Sequence, residues 1–385
     1  MSTLDFTLSA GPVATTARTL AALGAPITYH YDPEFLEAFR RTQEKVAQVF
    51  RTENDIILMQ GEAILGLEGA TRSLVRPGMH VLNLVQGVFG KGTGFWLADF
   101  GAVVHEIEVP YNEAVDPEQV EAYLDAHPEI ELLTVVASET PSGTVSDLSR
   151  IGPIAQARGV LTLVDIVSAL AGMELLADEW GLDVCVAGAQ KCLGGPPGVS
   201  LVSVSEAAWK AISANPNAPT ASYLSLTDWK EKWLGQGVFP YTPSISDIHG
   251  LEACLDQALE EGVDNVIARH RDSALVTRAG VRAMGLSLWS ADEISGFCVT
   301  SIALPDSIDH TELRSYVRDR YGVMLSSGQG AGNLIRIAHM GPTATGLFPI
   351  VGLSALGRAL LDLGVSVDVG AGIESALDVL SKQRN

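Results

Sequence analysis

The sequence predicts an α/β fold: a large domain with a mainly parallel sheet sandwiched by helices, followed by a smaller α+β C-terminal domain. Three observations predict it. Short, mostly apolar segments alternate with helical stretches through the first half of the chain, as strands buried on both faces and joined by crossover helices require. The composition then shifts at Gly235–Pro243, a stretch of Gly, Pro and aromatic residues. Beyond it the pattern becomes a long helical run followed by two separated strand candidates.

Asp32 and Pro33 open the first strong helix, Asp as N-cap and Pro at the first helical position, with Phe35, Phe39, Val46 and Phe50 near one face. Ile56–Met59, Met79–Val85, Val103–Val109, Leu132–Ala137, Leu161–Asp165 and Val184–Ala187 read as strands. Asp116–Ala126 and Leu148–Arg158 read as helices between them, and Met59-Gln60-Gly61-Glu62-Ala63 turns a strand into the helix Ile64–Arg72. A helical pattern runs from about Ser246 to Met284, with Leu251, Ala258, Leu259 and Val263 near one face. Phe297–Leu304 and Leu334–Ala338 are the strand candidates of the smaller unit. The boundary is placed near residue 250, giving an N-terminal segment 1–20, a large domain 21–250 and a small domain 251–385.

Composition excludes several classes of function. The chain has 385 residues, of which 47% are apolar, enough for a sizeable core and incompatible with global disorder. Its 25 Lys and Arg face 46 Asp and Glu, a net charge of −21 that argues against nucleic-acid or anionic-membrane partners. The longest apolar runs, such as Leu132–Ala137, are strand-sized and far below the ~20 residues that span a bilayer. The first residues show neither a basic region nor an apolar one, so no secretory signal is expected. Cys185, Cys192, Cys254 and Cys298 form no Cys-x-x-Cys pair; reduced thiols in a cytoplasmic protein are expected. The histidines are scattered, and no metal is expected.

The chemistry-bearing residues sit at strand ends, where α/β sheets collect their sites. Leu161-Thr-Leu-Val-Asp165 is an apolar strand ending in a carboxylate, and Val184-Cys-Val-Ala-Gly-Ala-Gln-Lys191 runs a second strand into a lysine. Pyridoxal chemistry needs this pair: an amine to form a Schiff base, and a carboxylate to keep the ring nitrogen protonated.

Asp165-Ile-Val-Ser-Ala, Gly188-Ala-Gln-Lys191-Cys-Leu-Gly-Gly-Pro-Pro-Gly198, Glu139-Thr140-Pro-Ser-Gly-Thr144 and Ala10-Gly11-Pro12 together resemble the class V aminotransferases of the fold type I pyridoxal-phosphate superfamily, over nearly the whole chain. The resemblance implies an active site to which residues 1–20 contribute, shared across a homodimer or within a homotetramer. It implies that Lys191 carries the internal aldimine and shuttles the proton, that Asp165 pairs with the pyridine nitrogen, and that Thr140 bonds the ring near its phenolic oxygen. Arg336 matches the arginine that clamps the substrate carboxylate, and a guanidinium fork suits that planar anion.

Where ordinary members of the family seat the cofactor phosphate on a helix N-terminus, this chain has Glu62. A dianion ~4 Å from a carboxylate is repelled by roughly 8 kcal/mol at an effective dielectric near 20. A free 5′-hydroxyl would instead donate to it. Gly61–Glu68, Gly87–Gly92, Val109–Val115, Thr242–Ser246 and Arg336–Gly341 resemble the members that use free pyridoxamine and pyridoxal as substrate and product, with pyruvate and L-alanine, in bacterial vitamin B6 degradation. That resemblance implies no tightly bound cofactor separate from the substrate, and Glu62 as the partner of the hydroxymethyl group. The alternative is a conventional pyridoxal 5′-phosphate-dependent enzyme of the alanine– or serine–glyoxylate or –pyruvate type. Two positions depart from the pattern: Phe89 stands where the family has tyrosine, and Gln329 where it has a second arginine. Tyr241 follows the stretch that in phosphate-using relatives reaches a neighbouring subunit, and is an expected vitamer contact.

Overall fold

The structure, a computed structural model, describes residues 5–383. Its main sheet has seven strands in the order Asp55–Gln60, Val199–Val204, Val184–Gly188, Leu161–Asp165, Ile130–Val136, His80–Val85 and Val103–Glu108. Every pairing among the last five is parallel. Val199–Val204 runs antiparallel to both of its neighbours. The α/β class and the mainly parallel sheet expected from the sequence are therefore present. Val199–Val204, which sequence reading did not anticipate, is buried at every residue and sits directly behind a Gly-rich turn. It carries Ser200, whose hydroxyl braces the Gly61–Glu62 turn from behind.

The helix that begins at Pro33 runs to Phe50, and the Asp32 carboxylate accepts the Glu34 N–H at 2.9 Å, as its N-cap pattern dictates. The helical run expected from Ser246 to Met284 is instead two helices, Ile245–Glu261 and Val263–Ala283. They part at Gly262, whose φ of +88° ends the first helix.

A four-stranded antiparallel sheet follows, in the order Ser326–Ser327, Leu334–Ala338, Val299–Ala303, Ser287–Leu288. Near the other end of the chain, Phe6–Thr7 pairs in parallel with Val323–Met324. The buried apolar residues form one core running from Phe35 to Val266, a second that joins Leu8 to residues between Val276 and Ala376, and a small third one of Ala10, Cys192, Cys298, Val299, Ala338 and Met340. Among the described residues no helix is long and apolar enough to cross a membrane.

Candidate active site

Asp165 is the last residue of its strand, and in the parallel register it lies beside Val186 of the neighbouring strand, which leads into Lys191. The two residues singled out by their order in the sequence thus emerge at the same carboxyl edge of the sheet. They line one cavity together with Glu62, Ala63, Phe89, Thr140 and Ser168. A larger cavity of about 530 Å³, bounded by Val115, Ser146, Trp180 and Phe297 among others, contains neither Lys191 nor Asp165.

The surroundings of Lys191 favour its neutral amine. Burial lowers its pKa, and the nearby Arg336 guanidinium lowers it further. Its Nζ donates to the Ala10 carbonyl, so the N-terminal segment walls the site. Gly11, at φ +97°, lies against the lysine stem: a Cβ there would stand 2.5 Å from Lys191 Cδ and 2.6 Å from Nζ. Burial likewise pushes the Asp165 carboxyl up to about 6, against the Val167 N–H that donates to it at 2.8 Å and the charge of Lys191.

Thr140 and Ser168 share a short hydrogen bond between their buried hydroxyls. The Thr140 carbonyl accepts Arg336 Nη1 at 2.7 Å, while Arg336 Nη2 reaches Gln329 Oε1 at 3.4 Å. Arg336 is 2% exposed and its Nε has no partner among the described residues. Burial lowers its pKa to about 10. A buried guanidinium with a spare donor and only amide and carbonyl neighbours is built to receive an anion.

Glu62 is the N-cap of the helix Ala63–Leu74. One carboxylate oxygen accepts the Ile64 N–H at 2.8 Å, and the other accepts Gln190 Nε2 at 2.6 Å. Phe89 lies across the cavity at the start of the helix Val88–Asp99. The N–H groups of Phe89 and Gly90 donate to the fully buried Glu139, at 3.1 and 2.7 Å. Tyr241 is not part of the cavity wall: its hydroxyl accepts the Gln60 N–H and Trp229 Nε1, each at 3.3 Å, and its ring stacks on Tyr223. Glu139, Ser168, Gln190 and Gly11 were not assigned roles from the sequence, although each lies inside or next to a motif that was noticed. Their roles depend on partners brought from elsewhere in the fold.

The family model described as "Aminotransferase class-V" matches residues 17–342. The chain belongs to the class V aminotransferases, and it is an aminotransferase. It is 45% identical over 377 residues to a pyridoxamine–pyruvate transaminase of Mesorhizobium japonicum, covering 97% of this chain and 96% of that protein. The crystal structure of pyridoxamine–pyruvate aminotransferase from Mesorhizobium loti superposes with a TM-score of 0.95 at 44% identity, covering 98% of this chain and 97% of that one. Ureidoglycine–glyoxylate aminotransferase of Bacillus subtilis gives a TM-score of 0.93 at 28% identity, with 97% of each chain covered.

The family membership corrects one expectation. Class V aminotransferases of this fold use pyridoxal phosphate as a bound cofactor, so the expectation of no tightly bound cofactor does not stand. The residues present fit the pyridoxal part of that group: Lys191 offers the amine, Asp165 the carboxylate for the ring nitrogen, and Thr140 with Ser168 a hydroxyl pair. At the other end Glu62 already takes the Ile64 N–H, one of the helix amides a phosphate would use.

Proposed function

We propose that this aminotransferase moves an amino group from pyridoxamine to pyruvate, giving pyridoxal and L-alanine, with the vitamer carried as a Schiff base on Lys191, as a step of vitamin B6 degradation. The observation that carries this reading is the Glu62 carboxylate at the head of the helix Ala63–Leu74, oriented by Ile64 N–H and Gln190 to accept a hydrogen bond. A 5′-hydroxyl can supply that bond. The 45% identity to a pyridoxamine–pyruvate transaminase supports the same substrates.

When bound, the pyridoxal ring acts as the electron sink for the carbon that loses its proton. The chain's own residues do the rest. Asp165, half-buried and accepting the Val167 N–H at 2.8 Å, would hold the ring nitrogen in its protonated form. Thr140 and Ser168 would hold the ring through their hydroxyl pair, and Phe89, in the same cavity wall, offers it no polar side-chain group. Arg336 orients the carboxylate of the keto acid with its unpartnered Nε and its fork, which Gln329 flanks. Lys191, held towards the neutral form, would supply the amine that holds the vitamer and would accept and return the proton at the reacting carbon. The enzyme works in the cytoplasm as a homodimer or homotetramer, with residues 1–20 serving the site and the small domain beginning near 251.

Purified protein is tested with pyridoxamine or its phosphate as donor and pyruvate, glyoxylate or oxaloacetate as acceptor, following the aldehyde absorbance. Turnover with pyridoxamine and pyruvate is expected. Turnover confined to amino-acid donors overturns the reading. Lys191→Ala is expected to lower turnover by a factor on the order of 10³ or more, the scale of a lost acid–base group.

A further inference from the structure

The histidines are scattered along the sequence, yet the fold gathers several of them far from Lys191. His80 opens one strand, and the parallel register of its neighbour sets Leu82 opposite His105. Residues two apart on a strand share a face, so the His80 and His105 rings stand side by side, with Nδ1 and Nε2 3.0 Å apart. The turn after the helix Pro117–Ala126 brings Glu129 to the same place: one ligand atom each from His80, His105 and Glu129 lie within 4.8 Å of one another. His127 is 3.1 Å from the Glu129 carboxylate and stacks on Tyr123.

We propose that His80, His105 and Glu129 form a binding site for a divalent late first-row metal ion, zinc in the first instance. Two imidazole nitrogens facing each other at 3.0 Å have lone pairs that need a proton or a cation between them. Two nitrogens bound ~2.0–2.1 Å from a tetrahedral zinc stand about 3.3 Å apart, a shift of a few tenths of an ångström from the geometry present. Glu129 supplies the negative charge, and the fourth position falls to water or to His127. His105 has the outer support that metal-bound imidazoles need: its Nδ1 lies 3.1 Å from the Tyr123 hydroxyl, which fixes the ring and leaves Nε2 for the metal. His80 is half-buried and Glu129 exposed, open enough to admit an ion.

The site is at the amino end of the strand His80–Val85, a strand's length (about 17 Å at 3.3 Å per residue) from the carboxyl edge of the sheet, where Lys191 emerges. An ion there takes no part in amino transfer. It ties two neighbouring strands to the turn that leads into a third, and so acts as a staple.

The test titrates EDTA-stripped full-length protein with zinc chloride by calorimetry and follows thermal unfolding with and without zinc. One zinc per chain and a zinc-dependent rise in the unfolding temperature are expected. His80→Gln and His105→Gln should each weaken binding at least tenfold, and Tyr123→Phe about tenfold, as for outer partners of metal ligands. Turnover of each variant in EDTA should match the unaltered enzyme, which shows that the fold survives. Absence of zinc binding, or equal affinity in the double His80→Gln, His105→Gln variant, overturns the proposal.

Discussion

Glu139 shows how one buried side chain can set a pH response. It is fully buried beside the site, accepts two helix N–H groups, and burial pushes its pKa from 4.5 to about 7. A carboxyl raised in the folded state contributes stability below pH 4.5 that is lost as pH rises through about 7, and Asp165, raised from 3.8 to about 6, has the same sign. Urea unfolding should therefore show stability falling between pH 5 and 8, with Glu139 accounting for about 3 kcal/mol at most. In Glu139→Gln that slope should flatten. Arg336→Met should raise the KM for the keto acid about 100-fold, the cost of a lost charge-assisted pair, while leaving attachment of the vitamer to Lys191 intact in absorbance spectra. Lys191, Asp165 and Thr140, which line one cavity, and Arg336, which bonds the Thr140 carbonyl, could be singled out in the sequence because each falls in a contiguous motif. Gln190 is written next to Lys191, yet its role depends on Glu62, which arrives from another strand end. The three residues of the metal cluster were invisible for the same reason: a parallel register, not spacing, brings them together.

Among the elements, strands read well where apolar residues were continuous, and poorly where serine interrupts them. Val199–Val204 alternates valine and leucine with Ser200 and Ser203, and only the fold shows that Ser200 is buried to hold the turn that presents Glu62. The break between Ile245–Glu261 and Val263–Ala283 escaped the periodicity because the apolar face continues across it, whereas the backbone does not. Gly262 adopts φ +88° and ψ 127°, a region closed to side chains. Gly262→Ala should cost about 1–3 kcal/mol in chemical denaturation, with KM values unchanged because the break lies outside the cavity wall.

Over the whole molecule the excess of acidic residues is the dominant field. A net charge of −21 makes the compact state repel itself. Raising sodium chloride from about 10 mM to 0.15 M shortens the screening length from ~30 to ~8 Å, so the unfolding temperature should rise by a few degrees in scanning calorimetry. The fold class was legible from the alternation of elements, since buried parallel strands leave a strong apolar signature. What joins the two ends of the chain was not. Ala10 and Gly11 wall in the Lys191 amine, and the segment that carries them is pinned by Phe6–Thr7 pairing with Val323–Met324. During synthesis on the ribosome, that lock waits for more than three hundred residues to emerge. A nascent chain therefore leaves its lysine unroofed until translation is nearly finished, and competence arrives late and all at once.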